Sequence, residues 1–281
     1  MRIDRADSEA ELLGPPISNR EIVKVVAGDF EVRLAETRAE IEAAQALRYR
    51  IFYEEMQAKP TAEMSAIKRD FDGFDEVCDH LLVLDRRRGD GPESIVGTYR
   101  LIRRPAAAQM GRFYSSAEYD IQKMIDYPGE VLELGRSCIA KDARNTATIQ
   151  MLWRGIALYA YHYDIQVMFG CASFPGTDPS QHAQAMSYLH HHHLAPPEIR
   201  VRALASRYVK MDMLERDAYD ERKAMARVPP LIKGYLRLGG FVGDGAVIDR
   251  ELNTTDVFII VKTELVTEKY IRHYERGNDK D

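Results

Sequence analysis

Two charged side chains interrupt a stretch that otherwise reads as a buried strand, Val131 to Ala140: Glu133 and Arg136 stand where apolar residues are expected. Alternation sends Val131, Glu133, Gly135 and Ser137 to one side, so Glu133 and Arg136 should face opposite ways. A bulge at Gly135, where the missing side chain eases irregular backbone, would bring both to one side. A carboxylate taken out of water either finds partners or has its pKa pushed upward, and the second outcome is what a general base needs. Two readings follow from the residues: Glu133 is a general base, or Glu133 and Arg136 form a structural ion pair.

Other chemistry-bearing groups are less specific. The segment from Ile67 to His80 carries Asp70, Asp72, Asp75, Glu76 and Asp79 but lacks the D-x-D-x-D-G order of a calcium loop, so its carboxylates are either solvated or hold a cationic group. Of His190 to His193 only the first and last share a helix face, which is thin support for zinc; a solvated helix end is expected. Arg86, Arg87 and Arg88 sit on a hairpin tip, solvated or docking an acidic protein or phosphate. The chain holds no G-x-S-x-G, no phosphate loop and no convincing Cys–His pair. Cys78, Cys138 and Cys171 read as reduced thiols, and no metal site is expected.

The elements that must position these residues follow from periodicity. Residues 1–28 read as a flexible arm broken by Gly14-Pro15-Pro16, and Phe30 to Leu34 as a first strand. Thr37 and Glu40 fit a capping box for a helix through Ile41, Ala44, Leu47, Ile51 and Phe52, which places Arg48 beside the core-facing stripe. Pro60 ends that helix, and an acidic loop follows. Strands are expected at His80–Asp85, Ile95–Ile102, Val131–Ala140 and Ile165–Phe174. A helix from Thr146 to Tyr163 should bury Ile149, Leu152, Trp153, Ile156 and Tyr159, and a second, N-capped by Asp178, should run from Gln181 to His193. After Val201 to Met213, which alternates, a short helix at Leu231–Gly240 precedes strands at Phe241–Asp249 and Asp256–Thr263. Strands interleaved with helices give an α/β or α+β sheet, in one domain over 29–270 with a polar tail at 271–281. At 281 residues, 45% hydrophobic, 30% charged and with a net charge of −5, the chain has material for a full core and little tendency to bind nucleic acid. The acidic N-terminus has no apolar signal core, so a cytoplasmic protein is expected.

Leu47-Arg-Tyr-Arg-Ile-Phe52, Asp72 with Asp75, Gly97-Thr-Tyr-Arg-Leu-Ile102 and Leu132-Glu-Leu-Gly-Arg136 resemble, in order and spacing, the GNAT acyltransferases that use acyl carrier protein. Two branches share the pattern, the acyl-homoserine-lactone synthases and the ornithine N-alpha-acyltransferases that begin ornithine-lipid synthesis. The stretch Pro229 to Ala246, with Asn253-Thr-Thr-Asp-Val-Phe258, is similar to the second branch, and Tyr53-Glu-Glu-Met56 stands where the first usually carries tryptophan. The resemblance runs from about Phe30 to Tyr270.

It implies a mixed, V-splayed sheet with helices on both faces, the donor's pantetheine arm entering between Val131–Ala140 and Ile165–Phe174. Lys141 to Thr148 departs from the glycine-rich loop with which coenzyme A-dependent relatives hold pyrophosphate, which suits a donor presented by acyl carrier protein as a phosphopantetheine thioester, its single phosphate met by Arg144, Asn145 and Thr146. No further cofactor is implied. The implied reaction is attack of ornithine's α-amine on a (3-hydroxy)acyl thioester. Glu133 is the base, Arg48 or Arg100 takes the carboxylate, Asp72 or Asp75 holds the side-chain ammonium, and Arg136 takes part in catalysis or orders the acidic loop. Phe113, Met168 and Phe169 would line an acyl groove, with transient contact at the membrane surface on product release. The alternatives are an acyl-homoserine-lactone-type or other N-acyl amino acid synthase, and a non-catalytic acyl-carrier or lipid-binding protein.

Overall fold

The computed structural model describes residues 22–265; the expected tail at 271–281 and most of the expected arm lie outside them. Where the arm was to continue, β1 (Lys24–Ala27) instead pairs antiparallel with β2 (Phe30–Leu34), because Val25 meets Val32 across the ladder and Val23 is wholly buried. The capping box forms as expected: Thr37 accepts from the Glu40 amide, and Glu40 bonds back to the Thr37 amide, starting α1 (Arg38–Tyr49). Past Tyr49 the helix widens into a π-turn, Arg50–Glu55, and a short helix α2 (Ala62–Ile67), which periodicity did not show, precedes the acidic loop.

The strands β3 (Asp79–Asp85) and β4 (Ile95–Arg103) lie close to their expected bounds. Between β4 and β6 (Glu130–Ile139) the chain forms α3 (Arg104–Gln109), a 3-10 turn at Tyr114–Ala117, β5 (Tyr119–Asp120) and α4 (Gln122–Ile125). Next come α5 (Thr146–His162), β7 (Ile165–Pro175), α6 (Ala183–His193), β8 (Arg202–Ala203), α7 (Glu221–Arg227), α8 (Pro230–Arg237), β9 (Phe241–Asp249) and β10 (Thr254–Lys262). The buried face of α5 is Met151, Leu152, Gly155, Ile156 and Tyr159, and Ile149, expected in the core, is exposed. Gly155 sets that face: a Cβ there would stand 2.7 Å from Val32, so only glycine lets the helix approach the sheet so closely.

Among the described residues ten strands run in the order β1-β2-β3-β4-β6-β7-β10-β9-β8-β5, with α1 and α5 packed on opposite faces of β4 and its neighbours. Most neighbours are antiparallel; β8 and β9 are parallel, as are β6 and β7, which pair only between Glu130–Glu133 and Ile165–Phe169. Beyond Glu133 they part, β6 staying with β4 as far as Ile139 and β7 with β10 as far as Pro175. The sheet is therefore mixed and splayed.

Gly170, at φ +154, sits at the apex of the V, where a Cβ would fall 2.2 Å from the Leu134 carbonyl oxygen. Backbone cannot yield there as a flexible side chain would. Gly170→Ala is expected to destabilise the protein by roughly 1–3 kcal/mol in denaturant unfolding, through overpacking and backbone strain. An unchanged midpoint would show that the apex is soft.

Opposite Tyr99, β6 carries an extra residue: Arg100 pairs with Gly135 and Thr98 with Cys138, leaving Arg136 and Ser137 against one partner. The left-handed residue of this bulge is Arg136, at φ 51, one position later than the expected Gly135. Its effect is the expected one. Ser137 turns away to bond Tyr99, and Glu133 and Arg136 come to the same side, where both contact Tyr114.

Candidate active site

Glu133 is 1% exposed and accepts hydrogen bonds on both oxygens. The Tyr114 amide donates to Oε2 at 2.7 Å, the Ser115 amide to Oε1 at 2.7 Å, and the Ser115 hydroxyl to Oε1 as well. These donors belong to the first turn of the 3-10 segment, whose N-cap, Phe113, offers no side-chain cap; a strand carboxylate takes that place. Burial pushes the Glu133 carboxyl above its ordinary range, against the lowering pull of the Ser115 and Tyr114 bonds and of Arg100. Arg136 is not its partner, so the structural ion pair does not form. Ser115 was not singled out by sequence, since its role depends on a loop folding back across β6.

The arginines and aspartates form a network of their own. Arg48 holds Asp75 with two arms, Nη1–Oδ1 at 2.7 Å and Nη2–Oδ2 at 2.8 Å, and its Nε lies 2.7 Å from Asp70. Arg100 reaches Asp72 at 2.6 Å, and Arg136 lies 3.3 Å from Asp70, 3.6 Å from Asp72 and 3.0 Å from the Tyr114 hydroxyl. From the π-turn Tyr53 donates to Asp70 at 2.8 Å. Burial would raise the Asp75 carboxyl, but Arg48 and Arg100 hold it well below the usual range; Asp70 is held down in the same way by Arg136 and Arg48. The side chains of Arg48 and Asp75 are each 1% exposed and spend their polar atoms on one another and on Asp70, so here they brace the frame of the site. Asp72 and Arg136 keep some exposed surface, and the buried Arg136 Nε lies 3.3 Å from Asp70 Oδ2.

Beyond the apex Arg144 is bonded to Glu55 at 2.7 Å and to the Ile139 carbonyl. Asn145 N-caps α5 by accepting from the Thr148 amide at 3.0 Å, and Thr146 lies exposed at the helix N-terminus. Phe169 is buried between Phe113 and Phe258, ring centroids 5.3 and 5.6 Å away. The expected acyl groove is not formed by these residues. Phe113 and Phe169 share one apolar cluster, Met168 belongs to the other across the sheet, and all three are buried.

The histidines of α6 are not a solvated end either. His191 bonds Tyr219 and Asp212, each at 2.8 Å, and His192 lies 3.1 Å from Glu221, because the stretch through α7 folds over them. Among the described residues two groups have a spacing compatible with a metal ion, and in the first, Asp75 with Cys78 and His80, the carboxylate is already held by Arg48.

The second group, Glu118, Asp249 and Asp256, has carboxylate oxygens within 4.8 Å of one another. Burial, then the Glu118 charge, pushes the Asp256 carboxyl up to about 7. Between the ordinary carboxylate range and that value the folded chain keeps a proton that the unfolded chain has released, so stability falls as pH rises through this window. Asp256→Asn removes the decline: unfolding at pH 8 should be harder than for the parent by on the order of a few kcal/mol, with the two converging near pH 4. A gap independent of pH would mean that Asp256 ionises normally.

No helix among the described residues is long and apolar enough to cross a membrane. Residues 47–154 match the acetyltransferase (GNAT) domain model. The chain is 48% identical over 251 residues to an L-ornithine N(alpha)-acyltransferase of Brucella abortus, with 88% of this chain and 89% of that protein covered. It is 47% identical over 250 residues to the enzyme of that name from Agrobacterium fabrum, covering 88% and 85%. Among solved structures, FeeM, an N-acyl amino acid synthase from uncultured soil microbes, aligns with a TM-score of 0.48 at 9% identity, covering 86% of this chain and 97% of that one. The chain is an N-acyltransferase with a GNAT domain, and it belongs to the L-ornithine N(alpha)-acyltransferase family.

Proposed function

We propose that the protein transfers a (3-hydroxy)acyl chain from the phosphopantetheine thioester of acyl carrier protein to the α-amine of ornithine. The activity named for its relatives carries the acceptor and the bond made. The donor assignment rests on α5, whose exposed N-terminus is capped by Asn145 and preceded by no glycine-rich loop, a place for one phosphate more than for a pyrophosphate. Arg144 would exchange Glu55 for that phosphate.

In this reading the α-ammonium gives one proton to Glu133 by way of the Ser115 hydroxyl, which already donates to Oε1. The freed amine attacks the thioester carbon, the C–N bond forms, and the C–S bond breaks. A second amine proton goes to the leaving thiolate, giving the amide and the carrier thiol, and Glu133 releases the first to water. Backbone N–H groups at the open end of the V meet the oxyanion. Arg136, whose side chain keeps some exposed surface, takes the α-carboxylate in place of the buried Arg48; Asp70 and Asp72, the latter held by Arg100, keep Arg136 in position. Release of a long-chain product would bring the protein to a membrane surface.

The test is mass spectrometry of the products formed from 3-hydroxyacyl-loaded carrier protein, a mixture of amino acids and S-adenosylmethionine. N-acyl-ornithine is the expected product. A lactone with consumption of S-adenosylmethionine, or no product from either a carrier or a coenzyme A donor, would overturn the reading.

A further inference from the structure

The turn that holds Glu133 also bridges the two arms of the V. Ser115 bonds Glu133 on β6, while Cys171 Sγ on β7 lies 3.6 Å from Ser115 Oγ and 3.4 Å from Glu118 Oε2. Behind Glu118 stand Asp249, at the end of β9, and Asp256, on β10. Partners account for two of these carboxylates: Arg207 lies 3.2 Å from Glu118, and the amides of Glu251 and Leu252 donate to Asp249. Asp256 is different. It is 4% exposed, and although the hydroxyls of Ser173 and Thr254 lie close enough to pull its pKa down against burial, its Oδ1 is left without a hydrogen-bond donor.

A buried carboxylate oxygen without a donor is a costly arrangement unless a ligand supplies one. Three carboxylates against one guanidinium call for a cation. A dication beside Glu118 would lie close to the Arg207 guanidinium, whereas a primary ammonium carries one charge and three donors for three acceptors. Bonds of about 2.8 Å from one –NH3+ set its acceptors about 4.6 Å apart, and these oxygens lie within 4.8 Å of one another. Gly135 and Arg136 on β6 and Cys171 and Ser173 on β7 keep some exposed surface, while most of their neighbours in both strands are buried. From Glu133 the group is reached through Ser115 and Cys171, a reach suited to a short diamino acid whose two nitrogens lie about 6 Å apart when extended.

We infer that Asp256, with Glu118 and Asp249, is the subsite for the distal ammonium of the acceptor, placing it past the apex of the V and not at Asp72 or Asp75. This rests on the acceptor being an α,ω-diamino acid. An acceptor with a methyl end leaves Asp256 unpaired, so the subsite discriminates by penalty as well as by attraction.

The experiment compares kcat/KM for ornithine and for norvaline, the same carbon chain without the ammonium, in the full chain with acyl carrier protein as donor. The parent should prefer ornithine by about a hundredfold or more. Asp256→Asn and, separately, Glu118→Gln should each cut that ratio at least about tenfold. Merely structural damage lowers both substrates together and preserves the ratio, which would overturn the subsite. So would equal turnover of both acceptors by the parent, a ratio governed by Asp72→Asn instead, or activity that EDTA abolishes and magnesium or calcium restores through Asp256. If the parent makes some other N-acyl product and no N-acyl-ornithine, the proposed function falls first and the subsite with it.

Discussion

Glu133→Gln should lower kcat by about 10²–10³-fold, with little change in KM for the acyl donor. Glutamine keeps the length and an oxygen to accept from Ser115, so the 3-10 turn retains most of its anchorage, but the amide cannot take a proton. The pH profile separates this from a structural defect. Glu133 must be ionised to act, and burial sets its pKa above the ordinary carboxylate range, so the parent's kcat/KM should rise with pH along an acid limb displaced upward. In the variant that limb disappears and the residual rate follows only the supply of free amine. An unchanged kcat with an unchanged limb would remove Glu133 from the chemistry and leave it as the cap of the Tyr114–Ala117 turn.

The largest loss of stability is expected at Arg48. Its guanidinium, almost without exposed surface, joins Asp75 through two bonds and lies against Asp70, and removing it leaves two buried carboxylates with fewer counter-charges. Arg48→Met should cost about 3–5 kcal/mol in denaturant unfolding, the usual result of breaking a buried pair from one side. Lysine should recover only part of this, because one ammonium cannot match both arms of the contact. The pH dependence has a definite sign. In the parent Asp75 is held below its unfolded pKa, so its contribution is present above that value and is lost only as pH falls through the depressed one. Without Arg48 burial dominates and the carboxyl takes up a proton earlier on acidification. The gap between parent and variant should therefore narrow as pH falls towards 4. A constant gap would mean that Asp75 is held by Arg100 and the fold around it, not by Arg48.

Network variants should also lower activity, since Arg48 fixes Asp70 and Asp75, and those aspartates, with Asp72, set where Arg100 and Arg136 stand. The two charged side chains of β6 thus act with different partners. Glu133 faces loop amides and Arg136 faces loop carboxylates, and a single bulge puts them on one side of the sheet.

The features legible in the residues alone are those that near neighbours along the chain control. Capping at Thr37, the strands from Asp79 to Arg103 and from Glu130 to Ile139, and the α5–β7 unit follow from alternation, helical spacing and side-chain bonds within a few residues. The bulge was foreseeable within one position because a charged residue on the wrong face has only a few local remedies. Motif likeness marked Arg48, Asp72, Asp75, Arg100, Glu133 and Arg136 as a set, without saying which would touch a ligand.

That division depends on the tertiary contacts. Whether an arginine grips a substrate or braces the frame depends on which groups arrive against it, and Asp70 and Asp75 reach Arg48 from a loop more than twenty residues away. Ser115, Glu118 and Asp249 carried no local signal, and Asp256 stood out only within a stretch of family likeness, because each is an ordinary polar residue until segments far apart in the chain bring them together. Desolvation then changes what they are: burial raises Glu133 and Asp256, and only the partners assembled by the fold determine how much of that rise is cancelled.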